Sequence, residues 1–329
     1  MTSSGRSLLT AGAGLAALGV LVGAPGLLGE EVLAALGELR EADPAALWLG
    51  ALSFVGVLLV LGRAWRVGVR VCGGTIGAVD AVARYSAGAA AVAILPAGLG
   101  GLFRIGLYSR ALPEGNRLWT SVGIAGAIDC ARALGLVLLV VAASSAGALP
   151  LWPALLFGGV VAGGMVLAFA VRNRTPHARL AHLLDAAREL ARAPRAAVEL
   201  VGWVLAATAA RVAAAVCVAT AVGVERPLVA GLVIVAAISV AGFIQFTPGN
   251  VGVASGAIAV ALHLQGVDTT AALSAGIAFH ALESAVSMLV GGAGLLYLAR
   301  PSLPGWTWRL AGSGACLAVG LAVGATVFV

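Results

Sequence analysis

The sequence predicts an all-α integral membrane protein with about seven spanning helices plus two re-entrant broken hairpins, arranged as inverted repeats. Three observations lead to this fold class. Hydrophobic residues make up 61% of the 329-residue chain and charged residues only 10%, whereas soluble domains are about half apolar and a quarter charged. Several apolar stretches reach the roughly 20 residues that a helix needs to cross a bilayer. Two further apolar stretches are interrupted by proline and glycine, which leaves each half too short to span.

Composition also excludes several classes of protein. The chain does not alternate polar and apolar residues as a membrane barrel would. No segment is polar enough to form a soluble catalytic domain, so we expect neither an enzyme nor a cofactor. All 20 basic residues are arginine, and most flank apolar segments, where the positive-inside rule already explains them without a nucleic-acid partner. The four cysteines are isolated and predict neither a disulfide framework nor a metal site.

The charges at the ends of the first two apolar segments predict the topology. We interpret residues 8–28 as an uncleaved first span, with a signal peptide cleaved after residue 23 as the alternative. The connector after it is acidic and is expected outside. The second span, residues 47–62, leads into Arg63, Arg66 and Arg70, an excess typical of a cytoplasmic loop. Together with arginine usage typical of a GC-rich genome, this predicts a multi-pass protein of a bacterial cytoplasmic membrane. Its N-terminus is expected in the cytoplasm and its C-terminus outside.

The first broken segment covers residues 87–112 and is interrupted between Pro96 and Gly101. Arginines follow it, so both of its ends are predicted to be cytoplasmic, as in a re-entrant hairpin. Spans at 118–143 and 151–171 come next. The basic segment 172–199 carries regularly spaced leucines and is either an amphipathic helix on the inner membrane face or an ordinary solvated connector.

The second half repeats this order with the opposite predicted orientation. It consists of a span at 200–222, a broken segment at 228–265, a span at 270–298 and a last span at 306–329. We therefore predict a single transmembrane domain, 1–329, that contains a first repeat at 47–171, a cytoplasmic amphipathic connector at 172–199 and a second repeat at 200–329.

Both breaks share a P-x-x-x-G pattern, and inverted repeats with broken helices are typical of transporters whose binding sites lie near the bilayer midplane. The residues of the breaks are therefore candidates for substrate binding: Pro96, Gly98, Gly100, Thr247, Pro248, Gly249, Asn250 and Gly252. Thr247 and Asn250 would either hydrogen-bond a substrate or cap the half-helix that follows.

Ionisable residues inside the predicted spans form a second set of candidates, since each costs about 2.5–3.5 kcal/mol to insert. They are Arg104, Asp129, Arg132, Arg211, His280 and Glu283. Asp129 and Arg132 are three residues apart and are predicted to pair, as are His280 and Glu283. Such pairs either belong to a substrate site or only neutralise each other. Arg104 is either a contact for an anionic headgroup, because a guanidinium matches phosphate, or an anchor at the mouth of the hairpin.

These motifs resemble the membrane region of lysylphosphatidylglycerol synthetases and their stand-alone relatives, from about residue 47 to residue 300. The resemblance is carried by Leu95-Pro96-Ala97-Gly98-Leu99-Gly100-Gly101-Leu102-Phe103-Arg104, Tyr108-Ser109-Arg110, Asp129 and Thr247-Pro248-Gly249-Asn250-Val251-Gly252. It implies a flippase-like protein without the aminoacyltransferase domain. The chain departs from the family pattern at Ala125-Gly126, where the family often has Glu-Arg, and at Ser255, where it often has Glu.

The favoured hypothesis is a membrane lipid translocase that moves a phospholipid or other anionic-headgroup lipid between leaflets. Anionic membrane lipids are the expected partners, with a homo-oligomer or a pathway enzyme as further ones. The alternatives are a secondary transporter of a small amphipathic solute, an enzyme acting on lipid-linked substrates, and a non-transporting partner of a lipid or glycolipid pathway enzyme.

Overall fold

The computed structural model describes residues 34–35, 37, 40–95, 98–114, 117–172, 178–242 and 252–300, and it is helical in these ranges apart from turns and short connections. We number its ten helices in chain order. They are α1 Pro44–Val71, α2 Ala78–Ile94, α3 Leu99–Ser109, α4 Arg117–Ser145, α5 Trp152–Arg172, α6 Ala178–Arg192, α7 Pro194–Ala221, α8 Pro227–Ala241, α9 Val253–His263 and α10 Thr269–Ala299.

Five of these helices, α1, α4, α5, α7 and α10, are long and apolar enough to cross a membrane. The shortest, α5, has 21 residues, which corresponds to about 32 Å of helix and so matches a hydrocarbon core of about 30 Å. Each of the five coincides with a predicted span. The spans predicted at 8–28 and 306–329 lie outside the described residues, as does the connection between residues 243 and 251.

Two of the five long helices extend well beyond the predicted spans. The second span was expected to end at residue 62, but α1 continues to Val71, because residues 63–71 contain no proline and bury Trp65, Val67 and Val69 between the arginines. The span expected to begin at residue 200 begins at Pro194, since proline suits the first position of a helix.

A pair of short helices flanks each predicted interruption, and residues 96–97 and 243–251 between them lie outside the described residues. The first apolar segment forms α2 and α3, and α2 begins at Ala78 rather than residue 87. The second forms α8 and α9. The glycines that precede α3 and α9, Gly98 and Gly252, have φ angles of 83° and 85°, which only glycine adopts without strain.

Helices α1 and α7 form an antiparallel pair at the centre of the bundle. The amide of Asp43, just before α1, donates to the carbonyl of Ala221 at the end of α7 over 3.0 Å. At the opposite end, Arg70 pairs with Glu199 in the first turns of α7 over 3.2 Å. We call these the Asp43 end and the Arg70 end of the bundle.

Helices α2 and α3 form an antiparallel hairpin whose free ends lie at the Arg70 end. The amide of Thr75, before α2, donates to the carbonyl of Ala111, after α3, over 3.2 Å. Arg66 of α1 donates to the carbonyl of Ile76 over 3.2 Å. Near the break, a Cβ atom at Gly100 would lie 2.4 Å from the Cα of Val92, so this glycine allows the two helices to meet closely.

The helices of the two halves pack in the same order. Helix α1 contacts α2, α2 contacts α3, and α3 contacts α4, and the series α7, α8, α9 and α10 repeats these contacts. Between the halves, α2 packs on α10 and α8 packs on α4. The α2–α10 contact is made through glycines, because Cβ atoms at Gly291 and Gly294 would lie 2.4 Å and 2.7 Å from the carbonyl oxygens of Ser86 and Ala83.

Candidate functional site

A buried tyrosine joins two arginines where α2, α3 and α4 meet. Tyr85 of α2 is 5% exposed, and the guanidinium carbon of Arg104 lies 5.0 Å from the centroid of its ring, within the range of a cation–π interaction. Arg132 of α4 donates to the hydroxyl of Tyr85 over 3.0 Å. The structure thus brings side chains from α2, α3 and α4 together, and we call Tyr85, Arg104 and Arg132 the arginine–tyrosine cluster.

A glycine in α2 determines how Arg104 lies in this cluster. A Cβ atom at Gly88 would lie 2.6 Å from the Cβ of Arg104, closer than side chains approach each other. Gly88 therefore leaves a gap in the surface of α2, and the stem of Arg104 occupies it. One turn earlier in α2, Arg84 donates to the carbonyl of Leu107 and so ties α2 to α3 a second time.

The predicted pairing of Asp129 with Arg132 is confirmed. A guanidinium nitrogen of Arg132 lies 3.0 Å from a carboxylate oxygen of Asp129, so Arg132 divides its donors between Asp129 and Tyr85. The side chain of Asp129 is 65% exposed, and that of Arg132 is 35% exposed, although both lie near the middle of α4. The charged pair is therefore open to the surroundings of the bundle at mid-length.

The predicted pairing of His280 with Glu283 is wrong. Glu283 of α10 instead pairs with Arg211 of α7, with 2.5 Å between nitrogen and oxygen. A permanently charged guanidinium binds a carboxylate more strongly than an imidazole that is neutral at pH 7. The Nε2 atom of His280 is buried and has no hydrogen-bond partner among the residues that the structure describes. These three residues form a second cluster, which we call the Arg211–Glu283 cluster.

The glycines of the breaks have two separate roles. Cβ atoms at Gly98 and Gly252 would meet no neighbouring atom within 4 Å, so their positive φ angles, not lack of space, require glycine there. Gly100 is required by close packing instead. Neither α3 nor α9 has a side-chain cap, and the start of a helix carries N–H groups without intrahelical acceptors and a partial positive charge. Other predicted site residues of the breaks lie outside the described residues: Pro96, Thr247, Pro248, Gly249 and Asn250.

Sequence reasoning missed the roles of Tyr85 and Arg211. Tyr85 carried a signal, since it is the one aromatic side chain of α2. Arg211 was recognised as an arginine inside a span, but its partner is 72 positions away along the chain. No local sequence pattern connects Arg211 to Glu283.

A pocket of about 430 Å³ lies outside both clusters, at the Arg70 end, and its lining includes Cys72, Glu114, Arg117, Asp185 and Glu189. Burial, together with the negative charges of Asp185 and Glu189, raises the pKa of the Cys72 thiol to about 12. The thiol is therefore protonated at neutral pH and is a poor nucleophile.

Comparison with known proteins agrees with the membrane architecture. No curated protein matches the chain in sequence. The family model described as lysylphosphatidylglycerol synthase TM region matches residues 8–291, which include α1 to α9 and most of α10. The resemblance inferred from the motifs around the two breaks is thereby confirmed. The chain belongs to the lysylphosphatidylglycerol synthase TM region family, whose members are membrane proteins linked to lipid metabolism.

Proposed function

We propose that the protein is a lipid translocase that moves a phospholipid or other anionic-headgroup lipid between the leaflets of a membrane. The observation that carries the proposal is the arginine–tyrosine cluster. Arg104 and Arg132 both contact Tyr85 within the bundle, and the pair of Arg132 with Asp129 is exposed near the middle of α4. Family membership supports a role in lipid metabolism.

The chemistry of the cluster suits a lipid phosphate. A guanidinium offers several N–H donors in one plane and forms paired hydrogen bonds with phosphate oxygens. Arg132 already holds one anion, the carboxylate of Asp129, which a headgroup phosphate would replace. Apolar side chains beside the break, Leu99 and Leu102, are 50% and 60% exposed, and they offer acyl chains an apolar surface next to the charges.

We further propose that the two halves are inverted repeats and that each broken segment re-enters the membrane from its own side. The antiparallel arrangement of α1 and α7, the first helices of the two halves, supports this proposal. The repeated order of helix contacts and the positive φ of both Gly98 and Gly252 support it as well. In this arrangement the α2–α3 hairpin enters from the Arg70 end and the α8–α9 hairpin from the Asp43 end.

The distribution of charge supports an orientation. Arginines are concentrated near the Arg70 end, in the last turns of α1, in the connection between α3 and α4, in α6 and at the start of α7. The Asp43 end carries Asp43, Glu225, Arg226 and Asp268. By the positive-inside rule, we place the Arg70 end in the cytoplasm of a bacterial cell. The N-terminus would then be inside and the C-terminus outside, with α6 on the inner membrane face.

A reconstitution experiment tests the proposed function. Purified protein is placed in vesicles that contain fluorescently labelled phosphatidylglycerol, and the label in the outer leaflet is quenched with dithionite. We expect more label to become accessible over time than in protein-free vesicles, and we expect Arg104→Gln and Arg132→Gln to slow this exchange. Arg226→Gln, at the Asp43 end, is the matched control and should exchange lipid at the wild-type rate. Folded wild-type protein that moves no lipid would refute the proposal.

The alternative functions make different predictions. A secondary transporter of a small amphipathic solute requires a cavity that is closed to lipid, whereas the side chain of Asp129 is 65% exposed. A non-transporting partner of a pathway enzyme would move no lipid alone and would copurify with that enzyme. We assign no catalytic residue, because the charged residues in the middle of the long helices, Asp129 with Arg132 and Arg211 with Glu283, form two separate pairs rather than one reacting centre.

A further inference from the structure

The Arg211–Glu283 cluster is not needed for the headgroup contact proposed above. It links α7 to α10, in the second half of the chain, whereas the arginine–tyrosine cluster joins α2, α3 and α4. Its ion pair is partly accessible, since the side chains of Arg211 and Glu283 are 32% and 28% exposed. It therefore combines two opposite charges and a nearby histidine at a partly exposed position.

We propose that Glu283 is a proton-binding site that is loaded when an anionic lipid headgroup displaces it from Arg211. This inference rests on the proposed function and adds to it the coupling of lipid binding to proton uptake. It assigns the ligands by their chemistry, a lipid phosphate for Arg211 and a proton for Glu283.

The permanent charge of Arg211 is the first step of the argument. An arginine does not lose its proton in proteins, and a cation inside an apolar bundle requires an anion beside it. Glu283 supplies that anion at a distance of 2.5 Å. The Nε atom of Arg211 is buried and has no hydrogen-bond partner in the described part of the chain, so Glu283 leaves one donor of the guanidinium unused.

The displaced carboxylate is the second step. Once a phosphate occupies Arg211, Glu283 has no cation beside it, and a low-dielectric environment then favours its neutral, protonated form. The charges balance in this exchange. Before it, the cluster holds one guanidinium cation and one carboxylate, and after it, the same cation, one phosphate monoanion and a neutral carboxylic acid. The proton comes from water, and no bond other than O–H forms or breaks.

His280 lies in a suitable position to pass that proton. It precedes Glu283 by one turn of α10, and its buried Nε2 atom is unsatisfied within the described ranges. The charges that act on His280 are those of Glu283 and Arg211. A ring that is not held by another acceptor is able to receive a proton on one nitrogen and release one from the other.

Other ionisable groups on the helices packed against α10 lie elsewhere. On α2, Asp80 lies near Arg300, Arg84 bonds the carbonyl of Leu107, and Tyr85 belongs to the arginine–tyrosine cluster. On α1, Gly56 faces Ala210, the neighbour of Arg211 in α7. The first arginine of α1, Arg63, lies about 10 Å further along the helix. On α7, Glu199 pairs with Arg70, while Arg195 lies in the first turn, and His263 at the end of α9 contacts Thr269.

Proton uptake measured on lipid addition tests this inference. Detergent-solubilised protein in a weakly buffered solution receives short-chain phosphatidylglycerol, and a pH-indicator dye reports protons taken up while native mass spectrometry reports bound lipid. We expect about one proton per protein molecule once phosphatidylglycerol saturates it, and none with phosphatidylcholine added at the same concentration. Glu283→Gln should still bind phosphatidylglycerol but take up no proton.

Glu199→Gln is the matched control, because it removes the same group from another arginine–glutamate pair on α7, at the exposed membrane edge. It should take up protons as the wild-type protein does. Infrared difference spectra of the unmodified protein provide a readout that needs no variant, and the band of a protonated carboxylic acid should appear on lipid addition. Lipid binding without proton uptake, or uptake that persists in Glu283→Gln, would overturn this inference alone. A wild-type protein that binds no lipid would overturn the proposed function with it.

Discussion

Replacing Glu283 with glutamine tests how much the Arg211–Glu283 pair contributes to stability. The variant keeps the shape of the side chain but leaves the guanidinium of Arg211 without its counter-ion. Breaking a fully buried pair in this way costs about 3–5 kcal/mol. The two side chains are 32% and 28% exposed, so water or lipid headgroups partly compensate, and we expect a loss of about 2 kcal/mol in the free energy of unfolding.

Glu199→Gln provides the comparison for that figure. Its pair with Arg70 has the same chemistry and a longer separation of 3.2 Å, and both of its side chains are 46% exposed. Exposed ion pairs contribute about 0–1 kcal/mol, so this variant should lose at most half as much stability as Glu283→Gln.

Reversible unfolding in mixed micelles, with increasing fractions of sodium dodecyl sulfate, measures both variants under one condition. A double-mutant cycle with Arg211→Gln then isolates the coupling between Arg211 and Glu283 from the effects of the single changes. Equal losses for Glu283→Gln and Glu199→Gln, or a coupling energy near zero, would show that the pair in the middle of the bundle does not hold α7 and α10 together.

Three further predictions concern single glycines and one thiol. Gly98→Ala should lose about 1–2 kcal/mol in the same unfolding assay because of its φ of 83°, while Gly101→Ala, which meets no neighbour within 4 Å, should lose none. Gly291→Ala should destabilise the protein by about 1–3 kcal/mol through overpacking against α2. Gly292 faces open space, so Gly292→Ala should be neutral. Equal effects of the two changes would contradict the close contact between α2 and α10. In a variant whose only cysteine is Cys72, maleimide should react about a thousandfold more slowly at pH 8 than with a thiol of ordinary pKa, because the pKa of Cys72 is raised to about 12. Its labelling rate should then rise about tenfold per pH unit as the thiolate forms, and a plateau already at pH 9 would refute the shift.

The membrane helices were predictable because hydrophobicity is a local property of the chain. A run of about 20 apolar residues has few structures available in a bilayer, and all five described long helices were found from this signal. The extra turns of α1 were missed because arginines interrupt the apolar run there, although Trp65 and Val67 remain buried between them. Hydropathy averages the two faces of such a segment, whereas burial depends on one face.

The candidate site was predictable only in part, because its contacts join distant segments. Asp129 and Arg132 lie on one face of a single helix, so their spacing was sufficient to predict the pair. The partner of Glu283 depends on how α7 packs against α10, and spacing within α10 suggested His280 instead. Arg104 reaches the ring of Tyr85 because its stem fits the gap at Gly88. Such a gap becomes evident only when both helices are in position.

The backbone contact between α2 and α10 has a mechanical consequence. Gly291 and Gly294 bring the backbone of α10 against the carbonyls of Ser86 and Ala83. At these two positions no side chain of α10 separates the helices. Sliding one helix past the other would force backbone atoms into each other, so we expect α2 and α10 to move together. Tyr85 lies on α2 and Glu283 on α10. A movement of either helix would therefore carry one residue of each cluster with it.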